Sequence, residues 1–237
     1  MTVRFPDPLV PGTLILREKR FLAHVLLDSG EEVIAHTNNS GRMTGCSDPG
    51  SRVWLSPADK PGRKLKWTWE IVHVGDDAIP AGINTILPNK LVAEAIREGR
   101  IPELPADWDL RTEVRYGSEG SRADLLLELD DRRVWVEVKN VTLVRGDQAS
   151  FPDAPSVRAR KHLRELERQV EGGDRAVLVY VVQRGDALSV GPADDVDPEY
   201  GVALRSAVRA GVEVIAWRAS VSPEEIRLES PLGVRLS

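Results

Sequence analysis

The chain has 237 residues, 41% of them hydrophobic and 29% charged, enough for one large domain or two small ones with cores of their own. Its 32 Lys+Arg against 37 Asp+Glu leave a formal charge of -5, which excludes a protein that coats nucleic acid by bulk charge, and a single cysteine excludes an internal disulfide. With four scattered histidines there is no zinc-type Cys/His cluster, so any metal would sit on carboxylates. No apolar run approaches the roughly 20 residues of a membrane helix, and the start lacks the basic-then-apolar layout of a secretion signal. A cytoplasmic protein with no membrane partner is expected.

Up to about residue 80 the apolar residues come in short runs, 14–16, 21–27, 33–35, 53–55 and 67–74, split by turn residues such as Asp28-Ser29-Gly30 and Asp48-Pro49-Gly50. Five strands without a helix predict a small barrel. After Pro88 the pattern changes. Asn89 is placed to cap a helix over 90–98, with Leu91, Val92, Ala95 and Ile96 apolar and Gly99 as a stop. Candidate strands follow at 111–116, 123–129 and 134–141, then a helix over 157–170 closed by Gly172-Gly173, and a buried strand at 176–182. Asp197-Pro198 opens a further helix, 212–217 reads as a strand, and Ser222 to Glu225 fits the capping box of a short last helix. The fold expected is an all-β domain over 1–82 followed by an α/β domain over 83–237, with a mixed sheet flanked by helices.

Alternation along 134–141 puts Glu137 and Lys139 on one face with Trp135, and Val134, Val136 and Val138 on the other. A hairpin through Asp130-Asp131 returns the chain so that Asp124 lies near Glu137. Two carboxylates suit a hard cation, Mg²⁺ or Mn²⁺, with water completing its shell. Such a cation polarises a phosphoryl oxygen while Lys139 orients water or neutralises charge, the chemistry of phosphodiester hydrolysis. Asp124, Glu137 and Lys139 are therefore the candidate catalytic residues, in the pattern of a PD-(D/E)XK nuclease core. Glu94, beside the apolar stripe of the first helix, is a candidate third metal ligand or an exposed helical acid, and Glu113 competes for the role.

The helix over 157–170 carries Arg158, Arg160, Lys161 and Arg164 beside an apolar stripe, with His162 able to point inward. These five residues, together with Lys60, Arg63, Lys64 and Lys66 ahead of Trp67 and Trp69, are the candidate contacts to nucleic acid. The plain alternatives are a solvated helix face and two tryptophans that share one face of the barrel core. DNA is the expected partner, single-stranded DNA or RNA being further options, and the oligomeric state is open, a dimer included.

Several blocks carry a family resemblance across nearly the whole chain. They include Lys19-Arg20-Phe21-Leu22-Ala23, Asn39-Ser40-Gly41-Arg42-Met43, Pro49-Gly50-Ser51-Arg52-Val53-Trp54, Gly82-Ile83-Asn84-Thr85, Val136-Glu137-Val138-Lys139, Phe151-Pro152-Asp153-Ala154 and Lys161-His162-Leu163-Arg164-Glu165-Leu166. The chain resembles the sugar fermentation stimulation protein A family. That resemblance implies an OB-like barrel, a PD-(D/E)XK-like domain, non-specific DNA binding and a regulatory part in sugar, particularly maltose, metabolism. It maps Asp124, Glu137 and Lys139 onto the nuclease-like motif and Glu94 onto the helix acid. The chain departs from the family pattern at Thr37-Asn38, Asn140 and Ser156-Val157-Arg158-Ala159. Those departures count against a cysteine near His36 as ligand or nucleophile and leave the acids intact.

Overall fold

A computed structural model of the chain describes residues 2–58, 62–117 and 120–236. Its strands in chain order begin with β1 (Thr2–Arg4), β2 (Val10–Glu18), β3 (Leu22–Leu27), β4 (Glu32–His36), β5 (Arg52–Pro57), β6 (Trp67–Val74) and β7 (Ile79–Gly82). The helix α1 (Leu87–Arg97) follows, then β8 (Asp109–Tyr116), β9 (Ser121–Leu129), β10 (Arg132–Val141), β11 (Leu143–Arg145) and β12 (Gln148–Phe151). After α2 (Val157–Glu171) come β13 (Arg175–Val182) and β14 (Ser189–Pro192), then α3 (Pro198–Ala210), β15 (Glu213–Val221), β16 (Glu225–Pro231) and β17 (Gly233–Val234).

Strands β2 to β6 form the barrel expected from the short apolar runs. Their order is β4-β3-β2-β5-β6, and a parallel β4–β6 pairing closes it. Alternation sends Leu14, Ala23, Val25, Ala35, Val53, Leu55, Trp69 and Val72 inward. Trp69 is fully buried and donates its indole N–H to the Ile71 carbonyl at 3.0 Å, while Trp67 is half-buried against the same core. The tryptophans are core residues. The strand β7, too short to show a period of two, adds to β6.

The second domain is built on a seven-stranded mixed sheet, β1-β16-β15-β13-β10-β9-β8, in which β10, β13 and β15 run parallel. One face packs on α1, where Val134, Val136 and Val138 meet Leu91, Val92 and Ile96. The other packs on α2 and α3, where Trp135, Leu178 and Tyr180 meet Leu163, Leu166 and Leu204. Glu137 and Lys139 thus lie on the α2 side, as the alternation predicts. A small sheet, β11-β12-β14-β17, sits beside it.

Three expectations need correction. The helix α1 begins at Leu87, not after Asn89: Pro88 fits the first turn, and the Asn84 side chain accepts from Ile86 N–H at 3.1 Å, so Asn89 is an internal helical residue. The last helix is a hairpin turn. The Ser222 hydroxyl accepts the amides of Glu224 and Glu225, both at 3.3 Å, as a helix cap would, but the following residues pair with β15 as β16. Lastly, β1 lies within the first 82 residues yet pairs antiparallel with β16, so it belongs to the sheet of the second domain and not to the barrel.

Candidate functional site

The ladders around Asp124 are interrupted. Between β9 and β10 the ladder ends at Val136 with Leu125, and the register carries Asp124 opposite Glu137 just beyond it. On the other side, Glu113 stands opposite Asp124 in the β8–β9 register, with no pairing there and a left-handed backbone, φ 54°. The inside–outside alternation of β9 breaks at the same place, since Leu125 and Leu127 face one core while Ala123 and Leu126 face the other.

The Asp124 carboxylate takes over the lost backbone partner. It accepts the Val138 amide on one oxygen and the Asn89 side-chain amide on the other, both at 2.7 Å. Burial, with the charge of Glu137 added, pushes its pKa up to about 6, against the opposing pull of Lys139, Val138 N–H and Asn89. Glu137 is 1% exposed. Burial alone would raise its pKa, but Lys139 and His162 together hold it below the usual carboxylate value. The Lys139 ammonium and His162 Nδ1 both meet Glu137 Oε1, whereas Oε2 is buried with no hydrogen-bond partner. Arg158 Nε approaches His162 Nε2 at 3.4 Å; with Nε2 accepting, the ring proton sits on Nδ1 and is donated to Glu137.

Asn89, Asp124, Glu137, Lys139 and Arg158 line a cleft of about 400 Å³ between the domains. Arg20, Asn39, Ser40 and Gly41 form the barrel wall, and Ser150 to Ser156 with Arg158 the other. The barrel wall is shaped by Arg17, whose guanidinium donates to the carbonyls of Arg20, Asn39, Gly41 and Arg42 at 2.7–3.1 Å. Asp153 ties the two walls together by accepting the Met43 amide at 2.7 Å, and a Cβ at Gly41 would stand 2.7 Å from that carboxylate. Asn38 bonds Asn84 at 3.1 Å, and Asn84 in turn donates to the buried Glu70 at 2.7 Å, joining the barrel to the start of α1.

The residues expected at the site are brought together in part. Asp124, Glu137 and Lys139 converge. Glu94 does not join them: it pairs with Arg97 at 2.8 Å and lines a neighbouring cleft, which also takes in Glu113 and Asp124. Among the described residues no three His, Cys, Asp or Glu side chains gather as an all-protein metal cage.

The basic contacts divide further. His162 is buried against Glu137, and Arg160 is engaged by Asp197 at 2.9 Å and Glu199 at 2.8 Å, pinning α2 to α3. Arg158 alone of the helix set lines the cleft; Lys161, half-buried, and Arg164, exposed, lie elsewhere on α2. Arg63 donates to Thr68 at 2.8 Å, Lys64 and Lys66 are exposed on the barrel and line neither cleft, and Lys60 lies outside the described residues. Asn89, Asp153 and Arg20 were missed as site residues; Asp153 and Arg20 lay within the blocks that carry the resemblance, with no role attached.

Comparison with known proteins agrees with this architecture. The family model described as "Sugar fermentation stimulation protein RE domain" matches residues 86–225, and the one described as "SfsA N-terminal OB domain" matches residues 15–80. The chain belongs to the sugar fermentation stimulation protein family. A curated sugar fermentation stimulation protein homolog from Geobacter metallireducens is 58% identical over 99% of this chain and 100% of its own length. One from Paramagnetospirillum magneticum is 52% identical over 99% of each. The solved structure of Pyrococcus furiosus SfsA, in complex with Ca²⁺, superposes with a TM-score of 0.88 at 29% identity, covering 98% of both chains. Both domains of this family member are therefore matched in order. Among the described residues no helix is long and apolar enough to cross a membrane.

Proposed function

We propose that this protein binds nucleic acid in the cleft between its domains and hydrolyses a phosphodiester there with the help of a divalent cation. The observation that carries the reading is the pair formed by Asp124 and Glu137 on diverging strands, with Lys139 beside them and one Glu137 oxygen buried without a partner. A buried carboxylate oxygen is costly unless something pairs with it. Two carboxylates that repel one another, one of them raised to about 6, fit a hard cation that keeps part of its water shell. That the Pyrococcus furiosus relative is in complex with Ca²⁺ supports a divalent cation. Asp124 and Glu137 would hold the cation, whose charge, when bound, neutralises phosphate and acidifies water.

The chain's own groups then have separable tasks. Asn89 and the Val138 amide fix the Asp124 carboxylate, and His162 fixes Glu137, itself oriented by Arg158. Lys139 places a positive charge where negative charge gathers on phosphate oxygens as the ester opens. Arg20 and Arg158, on opposite walls, supply cations for the flanking backbone.

The test is to incubate labelled single-stranded DNA, duplex DNA and RNA with Mn²⁺ or with chelator, using the native protein, Glu137→Gln and Lys139→Met. Cleavage that needs the metal and disappears in both variants is expected. Absence of cleavage on every substrate, or cleavage that survives both substitutions, would overturn the reading.

A further inference from the structure

A second cleft, of about 740 Å³, opens on the α1 side of the acid pair. Its walls share Thr85, Asn89, Asp124 and Arg158 with the first, so the two clefts meet at the candidate catalytic aspartate. Asp124 thus lies where two cavities adjoin, while Glu137 lines the first alone. A site for a terminal phosphate needs room on one side of the reacting bond; a site for an internal bond needs room on both.

The lining of the second cleft differs in kind from the first. Val3, Ile86 and Ala93 give it apolar surface, Ile86 being a large hydrophobic residue 51% exposed. Lys90, exposed on the first turn of α1, and Arg158 give it cations. Arg97 is matched by Glu94, and Glu113 adds a carboxylate. Apolar and hydrogen-bonding surface with only a few cations suits a base and sugar with one adjacent phosphate better than a run of phosphates.

Resting on the proposed function, we propose that the second cleft seats the nucleotide beyond the bond held at the acid pair, so that an unpaired strand runs through both clefts past Asp124. The strand must be unpaired because Glu137, almost wholly buried, lines a cleft of only about 400 Å³. That volume lies at the lower end of the ~300–1,000 Å³ of small-molecule pockets, and a base-paired duplex cannot enter it. The specific prediction is that binding requires no strand end.

The experiment measures binding in chelator, free of cleavage, by anisotropy of labelled oligothymidylates, with a covalently closed single-stranded DNA circle as competitor. The circle should compete as well as a linear strand of equal length, and duplex DNA poorly. Lys90→Ala should lower the slope of log affinity against log salt by about 0.7 for long oligomers, the value for one phosphate contact on a single strand, and leave a dinucleotide's affinity unchanged. Ile86→Asp, at an exposed position that the core does not need, should also weaken long oligomers selectively. If linear strands bind and circles do not, or if both variants bind long and short strands like the native protein, the second cleft is not part of the path. If no strand of any kind binds native protein at low salt, the nucleic-acid reading itself fails and this inference falls with it.

Discussion

Replacing Asp124 with asparagine gives the sharpest check on the electrostatics of the acid pair. The folded-state pKa of Asp124, about 6, lies above the ordinary 3.8. The sign is therefore opposite to that of a salt-bridged aspartate: the stability it contributes is fully present below pH 3.8 and lost as pH rises through about 6. At 1.36 kcal/mol per pH unit, ionised Asp124 costs the fold about 3 kcal/mol in alkaline solution. The D124N amide removes that cost. Its single oxygen, however, can accept only one of the two donors, Val138 N–H and Asn89, and the donor left over costs about 1–3 kcal/mol. The two effects nearly cancel at pH 8, but their pH dependence does not. Native protein regains roughly 1–2 kcal/mol between pH 8 and pH 5 as Asp124 takes up its proton, and D124N does not. Urea denaturation of both proteins in chelator across that range should show their stability difference moving by this amount in favour of the native chain. Glu137, held below its ordinary 4.5, does not titrate in this window. A difference that stays constant from pH 8 to pH 5 would refute a raised Asp124.

The same proton competes with a divalent cation, so calorimetric Ca²⁺ affinity of the native protein should fall by about tenfold per pH unit below about 6. His162→Ala takes from Glu137 one of its two partners; a stability loss of about 2–4 kcal/mol by denaturation is expected, with weaker Ca²⁺ binding at pH 7. Arg160→Ala leaves the buried Asp197, among the described residues, with the amides of Ser156 and Tyr200. It should cost about 1–3 kcal/mol of stability while leaving the salt slope of DNA binding unchanged, whereas a phosphate-contacting arginine would lower that slope. Trp69→Ala, in the barrel core, should cost about 3–5 kcal/mol by chemical denaturation.

What could be read from the sequence was what repeats or what turns tightly. The alternation of β10 and the Asp130-Asp131 turn were enough to set Asp124 opposite Glu137, because a hairpin fixes register over a short distance. The strands β7, β11, β12, β14 and β17, of two to four residues, are too short to carry a period. Ser222 misled because a serine hydroxyl accepting amides two and three residues on looks the same in a helix cap and in a hairpin turn. The pairing of β16 with β15 decides between them, and that is a contact between strands and not a local preference. Asn89 has the local signature of a cap, but its side-chain partner, Asp124, lies 35 residues away. Arg160 looked like a free surface cation because nothing in the helix reveals that Asp197 stands across from it.

The pairing of β1 with β16 has a mechanical consequence. The chain starts in the large sheet, leaves it to build the barrel, and returns through α1, so the barrel hangs from its neighbour by two strands of backbone instead of one. These two covalent links add to the hydrogen bonds that Asp153 and Asn84 make across the same boundary. The mouth of the cleft is therefore held from both ends of the barrel segment as well as across its walls.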